Sequence, residues 1–243
     1  MEDTMEYRQN ILNYAGLYHE FGLNDICAYL ESKDEAVKPT VSWYLTKLTE
    51  TGQLLRIGHG RYTKCTKTQF VITPTKKQCG IVKKLKKNFP AAHFCIYDGG
   101  VISPLLHHLS ANNITYLETD REAVTAVFNY LRDNGVKAYL RPSRDLIYNY
   151  IDMSQPAIFV KPLITESPVT ECNGVYVPTL EKLLVDLRKD RDFFYLQDSE
   201  GDNILRNAYA LYAVNQSRLL RYAARRGVRE EIETISNNIK SND

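Results

Sequence analysis

Gly52 and the Gly58-His59-Gly60 turn frame two strand-length runs, 53–57 and 61–64. Two such runs joined across a glycine-rich turn commit the chain to a β-hairpin there. Three helix-length stretches precede it. Residues 7–18 space Ile11, Leu12, Ala15 and Tyr18 at helical intervals. Gly22 breaks the chain, and Asn24 is read as the cap of a second helix with Ile26, Cys27 and Leu30 as its apolar stripe. The polar stretch 32–38 makes a turn. Pro39 suits the first turn of a third helix, where a missing N–H costs nothing. Gly52 suits a left-handed C-cap at that helix's end. Its inward stripe is Val41, Tyr44 or Leu45, and Leu48; its other face offers Thr40, Ser42, Trp43, Thr46 and Lys47.

Three helices followed by a hairpin is the order of a winged helix-turn-helix. The stretch TVSWYLTKLTETGQLLRIGHGRYTK resembles the recognition helix, turn and wing of that superfamily. The resemblance implies DNA binding, the alternative being a winged helix that binds proteins only. A helix with small polar residues at its N-terminal end fits the ~12 Å wide major groove. On this reading Thr40, Ser42 and Trp43 reach base edges or sugar. Lys38, Lys47, Arg56, Arg61 and Lys64 meet phosphates, and His59 sits at the wing tip. A lone tryptophan such as Trp43 is as readily a core residue, which leaves its role open.

Charge supports the same partner. Between Lys38 and Lys87 stand twelve basic side chains and one acid, Glu50, although the whole chain has a formal net charge of only +2. A local positive field on a globular chain attracts a polyanion, with nucleic acid the commonest case. The alternative is a solvated lysine-rich linker. No apolar run approaches the ~20 residues of a membrane helix. The polar start MEDTMEYRQN is not a secretory signal. Five scattered cysteines without a C-x-x-C pair read as reduced thiols of a cytoplasmic protein.

The expected architecture is α+β, in three parts. A winged helix-turn-helix occupies 1–75, a lysine-rich connector 76–90, and a mixed α/β domain ending in a helical bundle 91–243. Within this scheme 68–73 reads as a strand and 78–89 as a lysine-covered helix. Further strands are expected at 92–97, 114–118, 137–140, 157–162 and 175–177. Helices are expected at 101–109 and 121–134, after Thr179, and at 204–214, 217–226 and 229–238. Alternation of this kind builds one small sheet with helices packed on it.

Signals for chemistry are weak. Tyr97-Asp98-Gly99-Gly100 resembles the opening turn of the nucleotidyltransferase fold, which needs an acidic pair on the next strand to hold magnesium. Glu118 and Asp120 form such a pair but stand at the strand's end, and Asp120 also reads as a helix cap. Adjacent His107 and His108 diverge by ~100° on a helix and cannot easily share a metal. No catalytic residue, metal ligand or cofactor is expected. The alternative is a nucleotidyltransferase-fold or nuclease-like enzyme targeted to DNA by its N-terminal domain.

Segments 96–106, with Y-D-G-G entering a helix, and 175–187, VYVPTLEKLLVDL, behind an N-terminal winged helix, are similar to the AbiEi antitoxin family. That resemblance implies a bacterial transcriptional repressor of its own promoter, binding inverted repeats in double-stranded DNA. It also implies a nucleotidyltransferase-like toxin, AbiEii, neutralised without a stable complex in a type IV toxin–antitoxin system. Glu181 and Asp186 match the family's acidic spacing, and read as structural groups that bond backbone and arginine. Arg218, Arg221 and Arg225, at i, i+3 and i+7, form either a second basic surface or a solvated helix face.

Overall fold

The computed structural model describes residues 2–32, 37–106, 112–196 and 199–241. The chain is α+β and divides into two compact units. One comprises Met1–Gln69 with Leu211–Leu219, the other Phe70–Ala210 with Leu220–Asp243. Among the described residues no helix is long and apolar enough to cross a membrane.

The first unit runs α1 (Glu2–Leu17), β1 (Phe21–Gly22), α2 (Leu23–Glu31), α3 (Lys38–Glu50), β2 (Leu54–Gly58) and β3 (Arg61–Lys64). Its strands pair antiparallel in the order β1-β3-β2. Ile11, Phe21, Ile26, Leu30, Val41, Leu45 and Leu48 close one apolar core. Tyr44 and Leu45 are both buried, so α3 presents a wider inward stripe than either alternative alone. The cap of α2 is Gly22 rather than Asn24. Gly22 is extended, and its N–H donates to the Asp25 carboxylate at 2.6 Å, so the acid at the third helical position does the capping. Gly52 has φ +68°, the left-handed end expected for α3. Strand β1, only two residues long, has no alternation to betray it. The expected strand 68–73 does not form: only Thr68 makes a bridge, to Tyr212. Part of the expected 32–38 turn lies outside the described residues.

The second unit contributes α4 (Lys76–Asn88), β4 (Phe94–Asp98), a 3-10 turn (Gly99–Leu105), β5 (Ile114–Thr119), α5 (Val124–Asp133), β6 (Ala138–Leu140), α6 (Arg144–Tyr150) and β7 (Ala157–Pro162). Then follow β8 (Val169–Cys172), β9 (Val175–Pro178), α7 (Leu180–Lys189) and a second 3-10 turn (Arg191–Leu196). Helices α8 (Ser199–Leu211), α9 (Gln216–Arg226) and α10 (Arg229–Ser241) complete the chain, giving the helical C-terminal stretch. Six strands form a mixed sheet in the order β6-β7-β5-β4-β9-β8. Strand β4 runs antiparallel to β5, while β5 runs parallel to β7.

The pleat sorts side chains onto two faces. Phe94, Ile96, Leu117, Ile158 and Val160 pack with Val82 and Leu85 of α4 and with Val124, Val127 and Leu131 of α5. The residues between them, Cys95, Tyr97, Tyr116, Glu118, Phe159 and Lys161, share the opposite face and are buried too.

Residues 76–90 are therefore not a connector. Thr75 and Gln78 cap α4 reciprocally, at 3.2 and 2.7 Å, and its apolar stripe belongs to the second unit's core. Its lysines cover the remaining faces of an amphipathic helix. The helix expected over 101–109 is a 3-10 turn ending at Leu105, with Pro104 inside it; His107 and His108 lie outside the described residues. Helix α6 and the half-exposed strand β8 were not expected. One is seven residues long and the other, Val-Thr-Glu-Cys, is largely polar.

Candidate functional site

Helix α3 buries Val41, Tyr44, Leu45 and Leu48, and the same spacing leaves Lys38, Thr40, Ser42, Trp43, Thr46 and Lys47 exposed. Trp43 is 53% exposed, which removes it from the core. Its ring stands edge-on to Tyr44 at 4.9 Å, and the Lys47 ammonium lies 6.0 Å from its centroid. Thr46 turns its hydroxyl back onto Ser42 O at 3.0 Å. Thr40 and Ser42 present small polar groups at the N-terminal end of the same face.

The hairpin supplies the rest of this surface. Arg56 is half-buried, and its Nε donates to Gly58 O at 3.3 Å across the bulge between Arg56 and Gly58. His59, at the turn, is exposed, as are Arg61 and Lys64. Arg61 Nε donates to Glu20 at 2.7 Å, and Lys47 Nζ to Glu50 at 2.9 Å. Both pairs are open to solvent and screened, so neither acid would hold its cation against a phosphate.

The basic block of the sequence is two structural features. Lys38, Lys47, Arg56, Arg61, Lys64 and Lys67 belong to the first unit. Lys76, Lys77, Lys83, Lys84, Lys86 and Lys87 are exposed on α4 of the second. Chain proximity merged them into one run.

The second unit holds a buried ionic network. Lys182, 1% exposed on α7, lies 2.7 Å from Glu118 of β5 and 2.5 Å from Asp186 one helical turn on. Lys161 of β7, directly across from Glu118, reaches Asp190 at 2.7 Å, Asp192 at 3.1 Å and Glu118 at 3.7 Å. The Tyr222 hydroxyl donates to Asp186 at 2.8 Å, and Arg226 bonds Asp190 and lies 3.8 Å from Asp186. Burial opposes charge on both lysines, yet the surrounding carboxylates outweigh it and hold each ammonium protonated well beyond the usual lysine range. Three cations answer four carboxylates, tying β5, β7, α7 and α9 together. Asp186 has Arg226 only at ion-pair distance, and its hydrogen bonds come from Lys182 and Tyr222; Lys161, Lys182 and Arg226 were missed. For Lys161 and Lys182 the only sequence signal is a charge set among apolar strand or helix neighbours.

Asp98, Glu118 and Asp120 do not converge. Cys95 pairs with Glu118 and Asp98 with Thr115, an odd offset along β4 that puts Asp98 and Glu118 on opposite faces of the sheet. Asp98 accepts from Thr115 Oγ1 at 2.7 Å, and Asp120 accepts from His93 N and lies 3.1 Å from His93 Nδ1. Among the described residues no group of three or more His, Cys, Asp or Glu side chains is placed to hold a metal ion.

A family model matches residues 40–242, from the first turn of α3 to the end of α10. The chain belongs to a family of unknown function, DUF6577. No curated protein matches it. The DUF6577 match takes in α3, the hairpin and the whole ionic network, and begins after α1 and α2.

On α9 of this DUF6577 chain, Arg221 and Arg225 are exposed and Arg218 is half-buried. Arg218 N–H donates to Asn215 Oδ1 at 3.0 Å, and the Arg225 guanidinium donates to Thr165. The neighbouring Arg226 turns inward to the network. All five cysteines are free thiols; Cys27 and Cys95 are buried, and burial pushes the Cys95 thiol well above its usual range.

Proposed function

We propose that the first unit is a winged helix-turn-helix that binds double-stranded DNA, and that the chain is a cytoplasmic transcriptional repressor of the antitoxin kind. The observation that carries the DNA reading is the outer face of α3. A half-exposed Trp43 stands there with Thr40 and Ser42 at the helix start and cations at Lys38 and Lys47. A hairpin bearing Arg56, His59, Arg61 and Lys64 follows α3 directly. Small hydroxyls at a helix N-terminus suit base edges, while the cations suit flanking phosphates. The antitoxin part rests on segments 96–106 and 175–187 and on their likeness to AbiEi proteins. In this reading the chain represses its own promoter at inverted repeats, and neutralises a nucleotidyltransferase-like toxin without binding it stably. Arg218, Arg221 and Arg225 are the proposed surface for that second task. We propose no catalytic role, because Asp98 and Glu118 point to opposite sides of the sheet.

The test is a salt titration on duplex DNA from the chain's own promoter. Six phosphate contacts from the six cations of the first unit give log K a slope of about −5 against log salt. A slope near zero refutes the DNA reading. For the antitoxin part, the full chain is co-expressed with the toxin encoded beside it. Rescue should survive Arg61→Ala with Lys64→Ala, which abolishes repression, and should fail when Arg218, Arg221 and Arg225 become Glu. Rescue untouched by the charge reversal refutes that assignment.

A further inference from the structure

The second unit gathers three aromatic rings at its surface, Tyr148 and Tyr195 exposed and Phe194 half-buried. Helix α6 is anchored by Ile147, and Ile151 just beyond it is buried as well. Its outer side presents Arg144 and, one turn on, Tyr148, which is 77% exposed. Both reach Phe194 in the 3-10 turn Arg191–Leu196. The Arg144 guanidinium lies 4.7 Å over the Phe194 ring, and the Tyr148 ring centroid is 6.3 Å away. Tyr195 meets Phe194 edge-on at 5.8 Å, and Asn112 Nδ2 donates to its hydroxyl at 2.9 Å, which fixes its ring. Tyr148, Phe194 and Tyr195 thus form a row of three rings, flanked by an open cavity of about 310 Å³ lined by Ser143, Arg144, Asp145, Arg191 and Phe194.

Rings and charge together narrow what this surface can receive. Beside the half-buried Phe194, the exposed Tyr148 and Tyr195 offer flat apolar faces on which planar groups stack. Arg144 and Arg191 border them, and Arg141 is exposed just ahead of α6. Among the described residues neither Arg141 nor Arg191 has a carboxylate within ion-pair distance; Asp145 is the one acid lining the cavity. An occupant that suits this surface therefore combines flat apolar faces with negative charge. A duplex hides its base faces inside the stack, whereas a single strand exposes them. We infer that Tyr148, Phe194 and Tyr195, with Arg144 and Arg191, form a binding surface for single-stranded nucleic acid, separate from the duplex-binding face proposed for α3. Bases stack on the rings, and the guanidiniums hold the phosphates on either side. Tyr150, 78% exposed but two residues beyond Tyr148, points roughly 200° away round the helix and is not part of the row.

The inference is tested on the full chain by fluorescence anisotropy. The probes are a labelled twelve-nucleotide oligo-uridine, the matching oligo-thymidine, an abasic strand of equal length and the promoter duplex. Tyr148→Ala, which removes an exposed ring and leaves the core intact, should weaken single-strand binding at least fivefold, since stacking is worth ~1–3 kcal/mol per base. Arg191→Gln should weaken it further and flatten its salt dependence, with duplex binding unchanged in both variants. Tyr148→Phe should bind as the parent does, and Tyr150→Ala should have no effect. Equal binding of the abasic strand, or Tyr148→Ala and Arg191→Gln each indistinguishable from the parent, would overturn the inference whatever the duplex titration shows.

Discussion

Lys182→Met should be among the most damaging single substitutions in the second unit. The ammonium it removes is 1% exposed and faces Glu118 at 2.7 Å and Asp186 at 2.5 Å. Two carboxylates then stay buried with fewer counter-charges. Breaking a buried pair from one side costs about 3–5 kcal/mol, most of it the cost of the stranded charge. Glu118 keeps Lys161 at 3.7 Å, and Asp186 keeps the Tyr222 hydroxyl at 2.8 Å, so the lower end, about 3 kcal/mol, is expected. That energy corresponds to about a hundredfold rise in the opening equilibrium. Hydrogen exchange read by mass spectrometry on peptides from β5 and α7 measures that equilibrium locally. Adding Glu118→Leu should recover a good part of the loss, because it removes a stranded charge rather than a bond. A loss below about 1 kcal/mol, or a double variant no better than the single one, would refute the view that Lys182 neutralises this buried cluster.

Other outcomes follow from the same geometry. Burial opposes the charge on Asp190, but Lys161 and Arg226 outweigh it and hold its pKa at about 2, against an ordinary 3.8. A depressed pKa stabilises the fold above the unfolded value, so about 2 kcal/mol should be lost as pH falls from about 4 to 2. Acid unfolding of Asp190→Asn should lack that component. Gly52→Ala should cost about 1–2 kcal/mol from its φ of +68° alone. An added Cβ would also meet the Gln69 side chain, which donates to Gly52 O at 3.3 Å, so urea unfolding of Gly52→Ala with Gln69→Ala separates strain from clash. Thr40→Ala and Ser42→Ala should each lose ~1–3 kcal/mol of preference for promoter over random duplex. Arg61→Ala and Lys64→Ala should weaken both duplexes alike. If only the hairpin variants changed sequence preference, α3 would not be the reader.

Much of the first unit was legible in the sequence because its determinants are local. The stripe Val41, Tyr44, Leu45, Leu48, the left-handed Gly52 and the hairpin around Gly60 depend on residues within a few positions of one another. The exposed cations of α3 and the hairpin follow from that periodicity. Trp43 did not, because an aromatic ring beside a buried Tyr44 can turn either way, and packing of the helix decides which. The lysines between Lys76 and Lys87 show the opposite limit. Their charge suggested a connector, yet Val82 and Leu85 place α4 in a core whose other half comes from strands and a helix far along the chain. Composition reports how many charges a segment carries, not which side of it is buried.

The network of the second unit was decided by tertiary structure alone. Glu118 and Lys161 meet because β5 and β7 lie side by side in parallel, a pairing made by the crossover between them and not by any local pattern. Lys182 and Asp186 share a face by helical spacing, but that this face is buried against β5, and that Tyr222 and Arg226 close over it, depends on sequence separations of dozens of residues. The same holds for Asp98 and Glu118, whose separation on opposite faces follows from the β4–β5 register. Local periodicity and turn chemistry therefore determined most helices, most strands and the exposed basic face of this protein. Strand order and register, which long-range packing sets, decided which charges are buried together.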